Sequence, residues 1–222
     1  MLNEMAYPRT FNHRQFEMLT SGKARMEYCR QRLEFLGVGS ARAVYKIDDK
    51  RALKIAKTLK SKDGKPSRGV AQNEVEATPY MQNYDLFAKV FKYHPKYYWV
   101  EMELARPATR LDFDRILGWR NAFDGFVVPY IKLVRSRYDG VKYGSSIDKD
   151  TKNFLEAFED KDEFEDSLLW DIQFFMDDTQ ITATGDMIRL CSWGVVKRYR
   201  KDHLVMIDFG YNDYVRDKYY RR

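Results

Sequence analysis

The chain predicts an α+β protein, on three observations. Short runs rich in β-branched and aliphatic residues crowd residues 33–104, apolar residues recur at helical spacing beyond residue 107, and two more β runs close the sequence. Strand runs followed by helices fit two lobes in one domain: an N-terminal extension over 1–32, a first lobe over 33–105 and a second over 106–222. With 222 residues, 44% hydrophobic and 15% aromatic, the chain is long enough to bury a substantial core or two small ones.

Taken in order, the extension holds Pro8 and a helix starting near Ser21, whose hydroxyl can cap the amides ahead of Ala24. Residues 33–57 read as three antiparallel strands, divided by a glycine turn at Gly37 and Gly39 and by the charged turn Asp48-Asp49-Lys50. The third strand carries Lys54. Residues 58–68 are polar, contain Gly64 and Pro66, and read as an exposed flexible loop. A short helix follows from Gly69, bearing Glu74 and Glu76. Residues 89–94 and 97–104 then read as two strands separated by Pro95, completing a five-stranded antiparallel sheet with one helix.

The second lobe is expected to be mostly helical with a β-hairpin. Thr109 with Asp112 looks like a helix cap, Pro129 breaks or starts a helix, and residues 139–150 read as a loop. Phe164, Leu168, Leu169, Ile172, Phe175 and Met176 predict one amphipathic helix over about 163–177. The runs WGVVKRY and HLVMIDF flank an expected turn at Arg200-Lys201-Asp202, so Asp186 falls in a loop before the hairpin and Asp208 at its exit.

Composition excludes several classes. No apolar run approaches the roughly 18 residues a membrane helix needs, and MLNEMAYPRT has no hydrophobic signal core, so no membrane partner and a cytoplasmic location are expected. Cys29 and Cys191 form no pattern, and His13, His94 and His203 are scattered singly, so a disulfide or zinc site is disfavoured. The net charge of +6 is uneven. Residues 42–68 carry ten Lys/Arg against three Asp, a local +7, whereas residues 148–178 carry twelve Asp/Glu against three Lys, a local −9. A basic stretch beside a glycine turn suits an anionic nucleotide, or weak contact with nucleic acid.

The glycines alone are a weak signal, but their context narrows the choice. A dinucleotide fold needs a helix directly after them, and a Walker loop needs Gly-Lys-Ser/Thr; neither is present. Leu36-Gly37-Val38-Gly39-Ser40 with Val44, followed by Ala52-Leu53-Lys54 and later by Asp208-Phe209-Gly210, resembles instead the protein-kinase family. The ordered set covers about residues 33–210. It is similar in particular to small kinase-like proteins encoded by bacteriophages, through LGVGSARAVYKI, QNEVE and the SWGVV…VMIDFG ending.

That resemblance implies a two-lobed kinase-like fold that binds Mg²⁺ and ATP between its lobes. Gly37, Gly39, Ser40 and Val44 would border the nucleotide, and Lys54 would neutralise its α and β phosphates, fixed by Glu76 with Glu74 in reserve. Met102 would line the pocket, with backbone groups of Glu103 and Ala105 at the adenine edge. Asp208 would hold Mg²⁺ with Ser192 as a weak second ligand, and Asp186 would accept a proton from the acceptor hydroxyl.

The departures bear on activity. Arg42 replaces the third loop glycine, where it would crowd the loop or add its charge. Cys191, followed by Ser192, stands where the family's second metal-binding asparagine falls, and Arg189 is the nearest cation after Asp186. Only twelve residues follow Gly210, so the activation segment and peptide-docking helices have no counterpart in the sequence. The expected function is an ATP-dependent phosphotransferase with its acceptor open. The alternative is a pseudokinase, a binding or virion-associated structural protein with a protein partner. The YYRR tail reads as an ordered plug, a partner contact or disorder.

Overall fold

The structure is a computed structural model that describes residues 7–139 and 147–220. It is an α+β chain that divides into two compact units, Met1–Gln82 with Lys89–Leu104, and Asn83–Ala88 with Ala105–Arg222.

The first unit is built on an antiparallel sheet in the order β1-β2-β3-β5-β4, from β1 (Glu34–Val38), β2 (Arg42–Lys46), β3 (Arg51–Ala56), β4 (Val90–Tyr93) and β5 (Trp99–Glu103). Successive side chains on a strand point to opposite faces, and here the two faces have different partners. One presents Tyr45, Leu53, Ile55 and Trp99, which join Phe11, Phe16, Tyr28 and Cys29 in a single buried cluster. The described part of the expected extension is therefore integral to this unit, through α1 (His13–Glu17) and α2 (Gly22–Arg30). Ser21 caps α2 as the sequence suggests, its Oγ accepting from Ala24 N at 3.1 Å. Each large apolar side chain fully buried here contributes about 1.5–3 kcal/mol, which explains why residues 7–32 stay packed on the sheet.

The other face carries Val44, Ala52, Lys54, Val100 and Met102, since Val44 pairs with Lys54, Lys54 with Val100, and Ala52 with Met102. Helix α3 (Arg68–Ala77), capped by Ser67, packs against β3, β4 and β5. Its approach is close: a Cβ on Gly69 would lie 2.6 Å from Ala41 O, so only glycine fits. The loop over 58–68 closes on itself through Ser61 N donating to Lys65 O at 2.9 Å.

The second unit contains α4 (Arg110–Leu117), α5 (Val128–Asp139), α6 (Lys149–Glu159), α7 (Leu168–Thr179) and α8 (Asp213–Tyr219), with a three-stranded sheet of β6 (Arg106–Pro107), β7 (Trp193–Arg198) and β8 (Lys201–Met206). Thr109 and Asp112 form a reciprocal capping box on α4. Pro129 sits in the first turn of α5, where its missing N–H is tolerated, and the turn before it, Phe123–Val127, is wound as a π-helix.

Three expectations change. The helix expected over 163–177 begins at Leu168, because Ser167 Oγ accepts from Trp170 N and stops the helix there; Phe164 is buried in a separate 3-10 turn. The hairpin turns at Tyr199-Arg200 rather than Arg200-Lys201-Asp202. Both residues have positive φ, 51° and 66°, as a two-residue turn between twisted strands requires. The loop expected over 139–150 lies outside the described residues for 140–146, and at its far end Asp148 caps α6 through Thr151 N at 2.8 Å. Of the YYRR tail, Arg221 and Arg222 lie outside the described residues, and Tyr220 meets Tyr211 edge-on.

Among the described residues no helix is long and apolar enough to cross a membrane.

Candidate functional site

In the first unit, the sheet face toward α3 holds a buried group of charges. Lys54 Nζ lies 2.9 Å and 3.1 Å from the two carboxylate oxygens of Glu76, which is fully buried. Glu74, two residues earlier on α3, faces solvent, so the helix turn alone separates the two candidates. Arg42 also turns inward. Its Nη1 lies 2.8 Å from Glu76 Oε2 and 3.3 Å from Asn73 Oδ1, and Asn73 in turn donates to Tyr97 O. One carboxylate thus serves two cations. Removing a buried charge's partner costs several kcal/mol, so this set holds its members in one geometry.

The glycine hairpin stands at the edge of the same sheet. Val44 pairs with Lys54 on one side and Gly37 on the other. A Cβ at Gly37 would meet nothing within 4 Å, so its backbone is open to approach. The N–H of Gly39 is committed to Arg42 O at 2.9 Å, and Ser40 is exposed. Arg42 does not crowd the loop, as its side chain leaves it for Glu76. On β5, Met102 is 1% exposed and sits between Ala52 and Val90, while Glu103 N donates to Lys89 O at 2.7 Å. Ala105 belongs to the second unit, where its Cβ packs against Gly194.

The basic stretch over 42–68 is less of a surface than its charge implies. Arg42, Arg51 and Lys54 are buried and paired, Arg51 with Asp48 at 2.7 Å and with Glu101 at 3.6 Å. Lys50, Lys60, Lys62 and Lys65 of the same stretch are exposed, so four of its ten cations are open to an anionic ligand.

In the second unit, the loop carrying Asp186 is tied to the exit of β8. Ser192 O accepts from Ile207 N at 2.7 Å and from Asp208 N at 3.3 Å, while Ser192 itself is buried. Arg189 Nη1 lies 3.7 Å from Asp186 Oδ1. A Cβ at Gly185 would lie 3.4 Å from the Tyr211 ring, so the stretch entering the loop passes close beside residue 211. Burial raises the Tyr211 phenol's pKa, with Arg216 opposing and Tyr220 and Asp186 adding to the rise. Phe209 stacks on Phe87 at 4.4 Å, which anchors the Asp208-Phe209-Gly210 turn in the unit's core.

Sequence reasoning missed the clamp on this loop. Asp213 of α8 accepts from Thr182 N at 2.8 Å and from Thr182 Oγ1 at 2.7 Å, and Arg216 reaches both Asp213 and Thr182. Helix α8 therefore fixes the extended segment that leads into Asp186. Asn212 followed by Asp213 was the available signal, since an amide cap with an acid in the first turn marks a helix start.

The donors suit a hard cation held jointly with a ligand. Asp208 and Ser192 offer oxygen, whereas the exposed Cys191 offers a thiol that magnesium disfavours. Among the described residues no group of three or more His, Cys, Asp or Glu gathers as a metal cage. Magnesium is commonly held by one or two carboxylates together with substrate phosphates, and that mode fits these residues. Compared with known proteins, the chain matches no protein-family model and no curated sequence.

Proposed function

We propose that the protein is an ATP-dependent phosphotransferase with a kinase-like, two-lobed architecture. The observation that carries this reading is the buried Lys54–Glu76 pair. An ammonium held by a carboxylate on a neighbouring helix is a preset point charge for phosphate, and presetting the charge avoids reorganisation during reaction. Gly37 supports it by leaving backbone open beside the strand that pairs with β3 through Val44.

When bound, Mg-ATP supplies the transferable phosphoryl group and much of its charge neutralisation. Lys54 would neutralise the α and β phosphates, and Asp208 with Ser192 would supply oxygen ligands for the metal. Asp186 orients the acceptor hydroxyl and takes its proton. The acceptor oxygen forms the new P–O bond as the β–γ bridging bond breaks and leaves its electron pair on ADP. Arg42 positions Glu76 from its second oxygen and so acts through Lys54.

A second reading, a nucleotide-binding protein without transfer, is favoured by Cys191, five residues after Asp186 and exposed. Label transfer from γ-labelled ATP separates the readings. The parent is expected to transfer label to itself, to an added protein or to water, and Lys54→Ala and Asp208→Ala are expected to lose transfer by about 100-fold or more. Equal transfer by parent and both variants would overturn the mechanism. Mg²⁺-dependent ATP binding without transfer would select the second reading.

A further inference from the structure

The second unit contains a cavity of about 350 Å³ that plays no part in the phosphotransfer reading. That volume is within the range of small-ligand pockets, roughly 300–1,000 Å³. Its apolar walls come from Leu117, Trp119, Phe158, Leu168 and Leu204, contributed by α4, α6, α7, β8 and the segment after α4. Trp119 is held in place by rings on three sides, Phe126, Phe154 and Phe158, at 5.1–6.1 Å.

The polar lining is acidic. Glu163, Asp166, Asp171 and Asp202 all line the cavity. Asp202 already has a cation, Arg115, at 2.7 Å. Among the described residues, Glu163, Asp166 and Asp171 make no ion pair; Glu163 and Asp166 are exposed and Asp171 is half-buried. A partly desolvated carboxylate with no ion pair is costly to keep, and burial with the nearby Asp85 moves the Asp171 pKa up to about 6 even though Arg198 opposes the rise. A second observation points the same way. His203 also lines the cavity, and its Nε2 is buried with no hydrogen-bond partner among the described residues. Buried polar atoms of this kind generally find a partner, so the cavity is incomplete as it stands.

We infer that this cavity binds an organic cation, a guanidinium or primary ammonium carried on an apolar stem, with the charge against Asp166 and Asp171 and the stem against Trp119 and Leu168. Trp119 gives the stem a flat apolar contact. The same chemistry occurs in a free alkylamine and in an arginine or lysine side chain of a polypeptide.

The test is calorimetric titration of the full chain with two probes: agmatine, and the peptide acetyl-Leu-Arg-Leu-Arg-amide. Saturable binding of either, weakened by about tenfold in Asp171→Asn and also weakened in Asp166→Asn, is the expected result. Asp166 is exposed, so its variant keeps the test valid if the other folds poorly. A peptide affinity well above that of agmatine identifies a polypeptide side chain as the source, and the reverse order identifies a free amine. Absence of saturable binding by both probes overturns the inference. So does equal binding of the uncharged analogue butylurea, or affinity unchanged in both variants. None of these outcomes depends on Lys54, Glu76 or Asp208.

Discussion

Arg42 Nη1 lies 2.8 Å from Glu76 Oε2, so the glutamate that holds Lys54 is shared with a second buried cation. Arg42 follows the glycine turn by three residues and opens β2. The arginine is tolerated because its side chain runs inward from β2 to α3, where its guanidinium completes Glu76 on one side and Asn73 on the other.

Glu76→Gln removes the charge that both cations share. A loss of about 3 kcal/mol or more is expected, read as a lower denaturation midpoint at unchanged slope. Glu74→Gln, on the exposed side of the same helix, is expected to stay within about 0.5 kcal/mol of the parent. Equal effects of the two substitutions would contradict the placement of the pair.

Asp112 supplies a pH-dependent contribution in the second unit. Its carboxylate accepts from Arg106, from Thr109 and from Arg115, and the Arg106 guanidinium, ahead of the other donors, holds its pKa far below the usual carboxylate range. A depressed folded-state pKa means the stabilisation is complete above the unfolded value, about 4, and is lost as pH falls below it. Asp112→Asn is expected to cost about 1–2 kcal/mol at pH 7, with the gap to the parent narrowing below about pH 4. A gap independent of pH would count against this.

Asp171 runs the other way. Burial raises its pKa to about 6, Asp85 adds to the rise, Arg198 opposes it, and Glu163, Asp166, Asp202 and His203 share the cavity lining. Since the folded state binds the proton more tightly than the unfolded chain, stability falls as pH rises from about 4 to 6. Asp171→Asn is therefore expected to raise the melting temperature at pH 7.5 and to leave it nearly unchanged at pH 4. A lower melting temperature at pH 7.5 would show that the carboxylate is compensated in the apo protein.

The two thiols should differ sharply. Cys29 is buried in the first unit's core, and burial pushes its thiol pKa up to about 12, whereas Cys191 is exposed. Titration with a thiol reagent at pH 8 is expected to give one rapid equivalent from the native protein and a second only in denaturant. Two rapid equivalents would contradict the packing of α2 on the sheet.

Local signals were the legible part of the sequence. The Ser21 cap, the Thr109–Asp112 box, the glycine hairpin and the five strands all follow from residue type at short spacing, and the choice of Glu76 over Glu74 named the residue that pairs with Lys54. Features set by tertiary packing were hidden. Nothing local distinguishes an exposed from an inward Arg42, because its destination is a carboxylate 34 residues away on another element. Burial of Phe11 and Phe16 against Trp99 depends on a sheet face that appears only once the strands pair. Helix α6 went unread because only Leu155 and Phe158 of its eleven residues are buried.

Calorimetric titration with ATP, with and without Mg²⁺, for the parent and Lys54→Ala, tests the central claim most directly. Saturable, Mg²⁺-strengthened binding by the parent that Lys54→Ala weakens by about tenfold or more is the expected result. Identical affinity in the two proteins, or none in the parent, would contradict the claim that the ammonium held by Glu76 is there for phosphate.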